Sequence, residues 1–422
     1  MCDETRIEPR TTVELYRSDT LLVRQVVADS SQRWVITFDH HSIGDGFDRF
    51  GFGEEFLLAN GISAIHVLGR GNDWYQYEDI LDAMAAVRAA TAGASRRVTY
   101  GSSMGGYAAV RLADAVAADG VLALSPQWSI NPARARWENR WPQDSHRIRW
   151  LDTIDGSVTC RAQPVLVYDP HMPLDGQHVR HIAAETPSLL VAVPYSGHPA
   201  STFLGEITLL KPMLEDLLHD RFDANAVAKT IRARRSTSSV YLGALAERQP
   251  DVRPRTALAL ARAGHAARPD GTLGMLSLAR ILTRTGNHCE AVTIHREISV
   301  KTERLPLYLV PFVDALWLAG VKSEAIAIAE EVVEALPERA HLRNWRAIML
   351  WKHGERSAAI GQQKQAVALN PNNRRYRRKL YLYRIARCGW WLPDLMRMGT
   401  RRMIFKREAL QQDNSLCNSV LG

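Results

Sequence analysis

Residues 101–105, Gly-Ser-Ser-Met-Gly, constrain the fold of this 422-residue chain more than any other segment. A short β-branched run precedes them (97–100), and an alanine-rich stretch follows them (107–113). This order predicts a strand, a sharp turn with Ser103 at its apex, and a helix. Such a turn strains the serine backbone and leaves no room for a Cβ two positions before or after it, which explains the two glycines. The pattern favours an exposed serine nucleophile over an ordinary Ser/Gly loop.

A candidate histidine follows a later strand. In enzymes built around such a serine, the acid and then the histidine come later in the chain, each on a loop after a strand. Apolar runs at 121–124, 164–168 and 188–193 predict those strands. Of the fourteen histidines, only His198 comes just past a strand end and downstream of a candidate acid. His198 is therefore the predicted base, and a surface histidine in a Gly/Pro turn is the alternative.

The acid is one of two aspartates in the predicted loop 169–176. Asp169 comes at the strand end and precedes a proline, so its side chain could cap the turn. Asp175 lies further along, far enough to bend back toward a histidine on the neighbouring loop. We therefore predict Asp175 as the acid and keep Asp169 as the alternative.

An oxyanion hole needs two backbone N–H groups. One is expected from Met104, the residue after the serine, and the other from the loop after an early strand, 33–38. That loop begins Asp39-His40-His41, which places the second N–H near His40. The same three residues could hold a metal ion, but no Cys or carboxylate cluster at ligand spacing completes a site. The sequence therefore predicts neither a metal nor another cofactor.

Ser103, Asp175 and His198, in that order, resemble the catalytic set of the α/β-hydrolase family, and the resemblance covers roughly the first 220 residues. It implies a central, mostly parallel sheet with helices on both faces, and acyl-ester chemistry through a serine nucleophile. The early loop departs from the family pattern, because Asp39-His40-His41 replaces the commoner His-Gly pair. His40 as an oxyanion donor therefore rests on its position alone.

Tryptophans are the candidate substrate contacts. The connection 126–161 contains Trp137 and Trp141, at a place where hydrolases commonly have a lid. Trp74 follows a predicted strand, 62–68, and so lies at the active-site edge of the sheet. A short lid rich in Trp and Arg suits a substrate with sugar or anionic parts, so the expected substrate is an ester-containing small molecule or glycan. Packing of the tryptophans on the sheet edge is the alternative.

The second half of the chain follows a 34-residue period. Glycines, alanines and leucines each recur at this spacing: Gly286, Gly320 and Gly354; Ala291, Ala325 and Ala359; Leu282, Leu316 and Leu350. The pattern resembles the tetratricopeptide repeat, a pair of packed helices. Units fit at 272–305, 306–339 and 340–373, with a degenerate fourth at 238–271. Stacked pairs imply a groove for a peptide or protein partner, whereas a generic helical bundle is the alternative.

The sequence thus predicts an α/β-hydrolase domain at 1–222, a polar linker at 223–237, all-α tetratricopeptide-like repeats at 238–373 and a basic tail at 374–422. The tail has twelve Lys/Arg and three Asp/Glu, a charge of +9 against +8 for the whole chain. Its interleaved aromatic residues predict either a solvated capping helix or a segment that binds an anionic membrane surface or an acidic partner. No motif favours a nucleic-acid partner.

No apolar run reaches the length of a membrane span, the first residues are polar and acidic, and the five cysteines are scattered. We therefore expect a cytoplasmic protein, with the tail as a route to peripheral membrane attachment. The expected function is a serine hydrolase that cleaves an ester or transfers its acyl group through Ser103, Asp175 and His198. The alternative is an inactive hydrolase-like scaffold whose repeats recruit a partner.

Overall fold

The computed structural model describes residues 12–28, 32–44 and 46–387. This part of the chain forms two compact units, which divide between Ala244 and Leu245. The first unit combines a β-sheet with helices, and the second consists of helices. The predicted fold class, a mostly parallel α/β-hydrolase-type sheet followed by tetratricopeptide-like helices, is therefore confirmed.

The first unit is built around one eight-stranded sheet. Its strands are β1 Thr12–Arg17, β2 Leu21–Val26, β3 Arg33–Phe38, β4 Ala64–Gly69, β5 Arg96–Ser102, β6 Gly120–Leu124, β7 Val165–Tyr168 and β8 Leu189–Ala192. They lie in the order β1-β2-β4-β3-β5-β6-β7-β8, in which β3 to β8 are parallel to one another and β2 is antiparallel to both of its neighbours, β1 and β4. Every residue of β4 and β6 is buried, as expected for strands covered on both faces.

Helices pack against this sheet. Those that begin in the described part of the first unit are α1 Glu54–Ala59, α2 Ile80–Ala90, α3 Met104–Arg111, α4 Pro142–Arg147, α5 Asp152–Asp155, α6 Pro173–Glu185, α7 Ser201–Glu206, α8 Leu210–Leu218, α9 Ala224–Arg234 and α10 Ser239–Arg248. Helix α3 packs on β3, β5 and β6, so the serine turn at its start is held against the centre of the sheet.

One predicted loop is partly helical. Helix α6 begins at Pro173, so Asp175 lies in the first turn of a helix and not in a loop. Proline is favoured at this first position because its fixed φ suits a helix and its missing N–H is not needed there. A carboxylate in the first turn is also stabilised by the helix dipole. Asp175 is therefore held by a regular element beyond the end of β7.

The segment 223–237, predicted as a polar linker, is also helical and belongs to the first unit. Asp223 caps α9 by accepting hydrogen bonds from two main-chain N–H groups of its first turn, at 2.7 and 3.2 Å. Val227 and Ile231, one turn apart, are buried, and α9 lies against β8. The polar residues that suggested a linker lie on the exposed side of α9. The boundary between the two units falls within α10.

The second unit continues with helices that pack in sequence. They are α11 Pro254–Ala267, α12 Thr272–Arg284, α13 His288–Lys301, α14 Pro306–Leu318, α15 Lys322–Ala335, α16 Ala340–His353, α17 Arg356–Leu369 and α18 Arg374–Arg387. Each helix from α11 onward contacts the next one, and the 34-residue period corresponds to the pairs α12–α13, α14–α15 and α16–α17. The glycine of each period lies between the two helices of a pair with positive φ (88°, 85° and 100°). The recurring alanines and leucines are buried between helices.

Only the start of the basic tail is described. Helix α18 packs against α17, and Tyr383 stacks on Trp351 with ring centroids 4.0 Å apart. This contact fits the capping helix that the sequence offers as one alternative. The membrane alternative depends largely on residues after 387, which lie outside the described residues. Within the described ranges, no helix is both long enough and apolar enough to cross a bilayer.

Two exposed glycines of the second unit make a matched test of the repeat turns. Gly320→Ala places a Cβ on a residue with φ 85°, which costs about 1–2 kcal/mol. Gly361→Ala fills open space inside α17 and stabilises the helix by about 1 kcal/mol. We expect thermal unfolding followed by circular dichroism to show a lower midpoint for the first variant and a higher one for the second. Equal midpoints would contradict the assigned turn.

Candidate active site

The serine turn has the strained geometry that its sequence predicts. Ser103 joins β5 to α3 with φ 53° and ψ −115°, a conformation that L-residues rarely adopt. A Cβ on Gly101 would collide with the main chain of Gly105, and a Cβ on Gly105 would collide with the carbonyl oxygen of Phe38. The two glycines therefore permit the turn itself and the close approach of α3 to β3.

The three predicted catalytic side chains lie in one chain of hydrogen bonds. Ser103 Oγ is 2.9 Å from His198 Nε2, and His198 Nδ1 is 2.7 Å from Asp175 Oδ2. The serine comes from the end of β5, the histidine from the loop after β8, and the aspartate from the start of α6 after β7. All three are at least 95% buried. The parallel sheet thus brings together groups that are up to 95 positions apart in the sequence.

A buried glutamine that sequence reasoning did not identify donates a hydrogen bond to Ser103. Gln127 Nε2 donates to Ser103 Oγ at 3.1 Å and to the carbonyl oxygen of Ser125 at 3.2 Å. Its Oε1 accepts a hydrogen bond from the indole N–H of Trp74 at 3.4 Å. The indole can only donate and the carbonyl can only accept, so the amide has one consistent orientation. The Asp175 carboxylate can only accept, so the proton of His198 lies on Nδ1, and in this tautomer His198 Nε2 accepts the hydrogen bond from the Ser103 hydroxyl.

The alternative acid, Asp169, has a different set of partners. Its Oδ1 accepts the N–H of His171 at 2.8 Å, and its Oδ2 accepts the N–H of Gly197 at 2.9 Å. The first bond closes an Asx turn after β7, as its position before a proline predicts. The second bond ties that turn to the loop that contains His198. Asp169 therefore positions the histidine loop through the main chain.

Three further ionisable side chains, all buried, extend the hydrogen-bond chain behind Asp175. Arg140 Nη1 donates to Asp175 Oδ1 at 2.6 Å, and its remaining donors bind Glu138, with a closest distance of 2.7 Å. Glu138 in turn accepts from His178 Nε2 at 2.8 Å. The sequence analysis interpreted 126–161 as a candidate lid and did not single out Glu138, Arg140 or, on α6, His178, because their pairing depends on contacts between these two segments.

Neighbouring charges and hydrogen bonds favour the ionised forms of Asp175 and Glu138. Burial opposes ionisation of Asp175, but His198 and Arg140 outweigh it and hold the pKa of the Asp175 carboxyl well below its usual range. Burial likewise opposes ionisation of Glu138, but the hydrogen bond from His178 and the charge of Arg140 lower the pKa of Glu138 to about 2. Burial lowers the pKa of His178, whose Nδ1 accepts the N–H of Trp128 at 3.0 Å. His178 is thus a neutral donor to Glu138.

The predicted oxyanion donors come from neighbouring segments. Met104 is the first residue of α3, where main-chain N–H groups have no partner within the helix. His40 is two residues past the end of β3. Gly105 brings the start of α3 against the main chain of Phe38 and Asp39, so the loop with His40 begins beside the serine turn. This proximity fits the predicted pair of donors.

The side chains after β3 are engaged separately and do not converge. Asp39 pairs with Arg49 at 2.8 Å and also accepts the N–H of Gly69 at 3.1 Å. His41 Nε2 lies 3.1 Å from Asp144. In the parts of the chain described above, no set of three or more His, Cys, Asp or Glu side chains is arranged to hold a metal ion.

Two of the three predicted tryptophans lie beside the triad. The ring centroids of Trp141 and His198 are 6.0 Å apart, and Trp74 packs against Trp141 at 5.4 Å. His41 contacts both tryptophans, at 5.5 and 6.2 Å. Trp74 is completely buried with φ 48°, a strained conformation of the kind found at functional sites.

Trp137 was predicted as a third substrate contact, and the structure places it elsewhere. Its ring packs on His178 and His181 of α6, at 4.5 and 5.7 Å. Its partners are thus those of a side chain that anchors the insertion. The alternative reading of the tryptophans, packing against neighbouring elements, applies to this one.

The insertion after β6 is anchored to the first unit by a buried carboxylate. Asp155 accepts hydrogen bonds from Tyr107 Oη at 3.0 Å and from Ser129 Oγ at 2.9 Å. The guanidinium groups of Arg111 and Arg134 lie 3.9 and 3.8 Å from the same carboxylate. Asp155 thus ties the insertion that contains Trp141 to Tyr107 and Arg111 of α3.

Comparisons with known proteins add little. No protein-family profile and no curated protein matches the chain. An esterase of Pyrococcus furiosus aligns with 50% of this chain and 91% of its own, at 16% identity and a TM-score of 0.37. A dienelactone hydrolase of Anabaena variabilis covers 54% of this chain and 98% of its own, at 13% identity and a TM-score of 0.32.

A tetratricopeptide-repeat protein of Thermus thermophilus aligns with 43% of this chain and 99% of its own, at 16% identity and a TM-score of 0.33. Likenesses this weak carry no functional argument. The fold of each unit rests on the strand order and on the helix pairs of this chain.

The pKa of Glu138 predicts how stability depends on pH. It is lower in the folded protein, about 2, than its ordinary value of 4.5, so the charge of Glu138 stabilises the fold above pH 4.5 and this stabilisation is lost as the pH falls toward 2. Glu138→Gln should therefore be less stable than the wild type at neutral pH, by a margin that shrinks on acidification. Urea unfolding at a series of pH values measures the margin. A margin that stays constant or grows in acid would contradict the assignment.

Proposed function

We propose that this protein is a serine hydrolase that cleaves a carboxylic ester or transfers its acyl group to an acceptor. The observation that carries the proposal is the hydrogen-bond chain from Ser103 Oγ through His198 to Asp175, at 2.9 and 2.7 Å. The strained turn at Ser103 supports it, because such strain is maintained at sites where a side chain must be presented for chemistry.

In the proposed mechanism, Ser103 Oγ attacks the ester carbonyl carbon while His198 Nε2 takes its proton. The Asp175 carboxylate stabilises the imidazolium that forms, and the N–H groups of Met104 and His40 stabilise the oxyanion. Collapse of the tetrahedral intermediate breaks the ester C–O bond, and the leaving oxygen takes the proton from His198. The resulting acyl-enzyme is released when His198 activates water or an acceptor hydroxyl.

The surroundings of Ser103 support a substrate with a ring or other flat apolar group. Trp74, Trp141 and His41 pack on one another beside His198. These rings meet at tilted or edge-on angles and form an apolar aromatic wall, the kind of lining that ligand pockets for flat apolar groups commonly have. An ester of a small aromatic molecule or a glycan ester is therefore the substrate class that we propose. Hydrolysis and acyl transfer use the same residues up to the acyl-enzyme, so the proposal covers both.

We propose a protein partner for the helix pairs of the second unit. Arrays of such pairs present extended surfaces and contribute no catalytic groups of their own. The described part of the basic tail, α18, is engaged with α17 and fits a cap on the array. Cytoplasmic location and attachment of the tail to an anionic membrane remain predictions from the sequence.

Substitutions in the triad test the proposed function. Ser103→Ala and His198→Ala should each reduce turnover of a short-chain aryl ester by about 10³-fold or more, because members of such a unit fail together. Asp175→Asn should also cause a large loss, because the imidazole loses its orienting partner and the counter-charge of its protonated form. Steady-state kinetics, with circular dichroism to check folding, measure these effects.

Asp169→Asn is the matched control for Asp175→Asn, since both remove one carboxylate charge beside the histidine loop. The amide has one accepting oxygen, so it keeps one of the two main-chain hydrogen bonds in weakened form and loses the other; we expect a loss of about 1–3 kcal/mol in stability and a much smaller loss of turnover than in Asp175→Asn. If Asp169→Asn silences the enzyme while Asp175→Asn stays active, the assigned acid is wrong. A Ser103→Ala variant with full activity would refute the proposed function, and a folded wild type without activity would favour a scaffold.

A further inference from the structure

The acid of the proposed triad is held on both sides by ionisable groups. His198 contacts Asp175 Oδ2 at 2.7 Å, and Arg140 contacts Asp175 Oδ1 at 2.6 Å. Arg140 also faces Glu138, which faces His178 on its other side. These are the titratable groups that act on Asp175 and Glu138. The five residues form one continuous series that connects the histidine loop, α6 and the insertion after β6.

The whole series is shielded from water. The side chains of Asp175 and Glu138 are 1% exposed, and that of Arg140 is 5% exposed. Charges taken out of water at this depth are stable only when each has its partner, and removal of one partner is more costly than removal of a complete pair. A purely structural insertion could pack here with apolar side chains. The retained charges therefore point to a role that involves Asp175.

The formal charges explain why Glu138 accompanies Arg140. Alone, Arg140 would neutralise Asp175, and a neutral pair would stabilise the His198 imidazolium less than a carboxylate does. Glu138 restores one net negative charge to the set, because His178 is a neutral donor to it. The arginine can thus fix the carboxylate by a charge-assisted hydrogen bond without removing the negative charge that faces His198.

We infer that Glu138 and Arg140 are a paired positioning device for the acid of the triad: Arg140 orients the Asp175 carboxylate, and Glu138 maintains the net negative charge that makes His198 an effective base. This inference rests on the proposed function. Neither residue touches the reacting atoms, and both act through Asp175.

The segment 138–141 also contains Trp141, one of the aromatic residues proposed to contact the substrate. The residues that position the acid thus adjoin the proposed substrate-binding side chains. Trp141 follows Arg140 directly, and the guanidinium carbon of Arg140 lies 4.6 Å from the centre of the Trp141 ring. Trp141 in turn lies beside His198, at 6.0 Å. The segment 138–141 therefore orients the acid with one side chain and contacts the base with another.

The test measures the rate at which a fluorophosphonate probe labels Ser103 as a function of pH, in the wild type and in Glu138→Gln. Loss of the negative charge destabilises the His198 imidazolium. We therefore expect the acid limb of the profile to move to lower pH by about one unit and the plateau rate to fall about 10-fold. Glu138→Asp, which keeps the charge, should leave the acid limb near its wild-type position.

Two further variants distinguish the proposed effect of Glu138 on His198 from a general effect on protein stability. Asp155→Asn removes another buried carboxylate that faces two arginines in the same insertion, and it should lower stability without moving the acid limb. The double variant Glu138→Gln/Arg140→Met removes the ion pair as a unit and keeps one negative charge on Asp175. Its acid limb should return to the wild-type position, and this variant keeps the test available if Glu138→Gln alone does not fold.

The outcomes distinguish the inference from the proposed function. If the folded wild type is not labelled at Ser103, the proposed function fails and this inference fails with it. If the wild type is labelled but Glu138→Gln has an unchanged acid limb, the inference alone is wrong. A double variant whose acid limb is displaced as far as that of Glu138→Gln would also overturn it, because the net charge facing His198 would then not be the cause.

Discussion

The backbone turn at Ser103 is the constraint on which the rest of the first unit depends. The Ser103 N–H donates to the carbonyl oxygen of Leu124 on β6 at 2.8 Å, and the Ser103 carbonyl accepts the N–H of Tyr107 at 3.0 Å. The turn is thus fixed to the sheet on one side and starts α3 on the other. Because glycines flank it, α3 reaches the main chain at the end of β3. That approach brings the start of α3, the loop after β3 and the serine close together, as the proposed mechanism requires of its oxyanion hole.

The buried charges around Asp175 make the geometry of the acid depend on the insertion after β6. Asp175 can orient the His198 imidazole only if other contacts fix the Asp175 carboxylate itself. In Asp175, Oδ2 faces His198, and the other carboxylate oxygen, Oδ1, is bound by Arg140, which in turn binds Glu138. The same low dielectric that strengthens these bonds makes an incomplete set costly, so the series is stable only as a whole. In the proposed site, the insertion thus supplies both Trp141 beside His198 and the side chains that hold the Asp175 carboxylate.

Local sequence patterns were sufficient to predict the features that residues close together in the sequence determine. The strand-turn-helix around Ser103, the strand ends before Asp169 and His198, and the 34-residue repeat register all have short-range signals. Asp175 was predicted as the acid, but the helix in whose first turn it lies was not predicted, because Pro173 was treated as part of a loop. Gln127 has the same signal as His198, a polar residue just past a strand end, and could have been identified. Glu138 and Arg140 could not, because their role exists only through contacts with α6, about 35–40 positions away.

Covalent labelling by a fluorophosphonate tests the central claim most directly, since it requires an activated serine and no knowledge of the substrate. The full-length protein is incubated with the probe, its intact mass is measured, and the modified peptide is sequenced. The account predicts one adduct per chain, located on Ser103, that forms neither in Ser103→Ala nor after denaturation. A folded wild-type protein that stays unmodified, or an adduct on another serine, would contradict it.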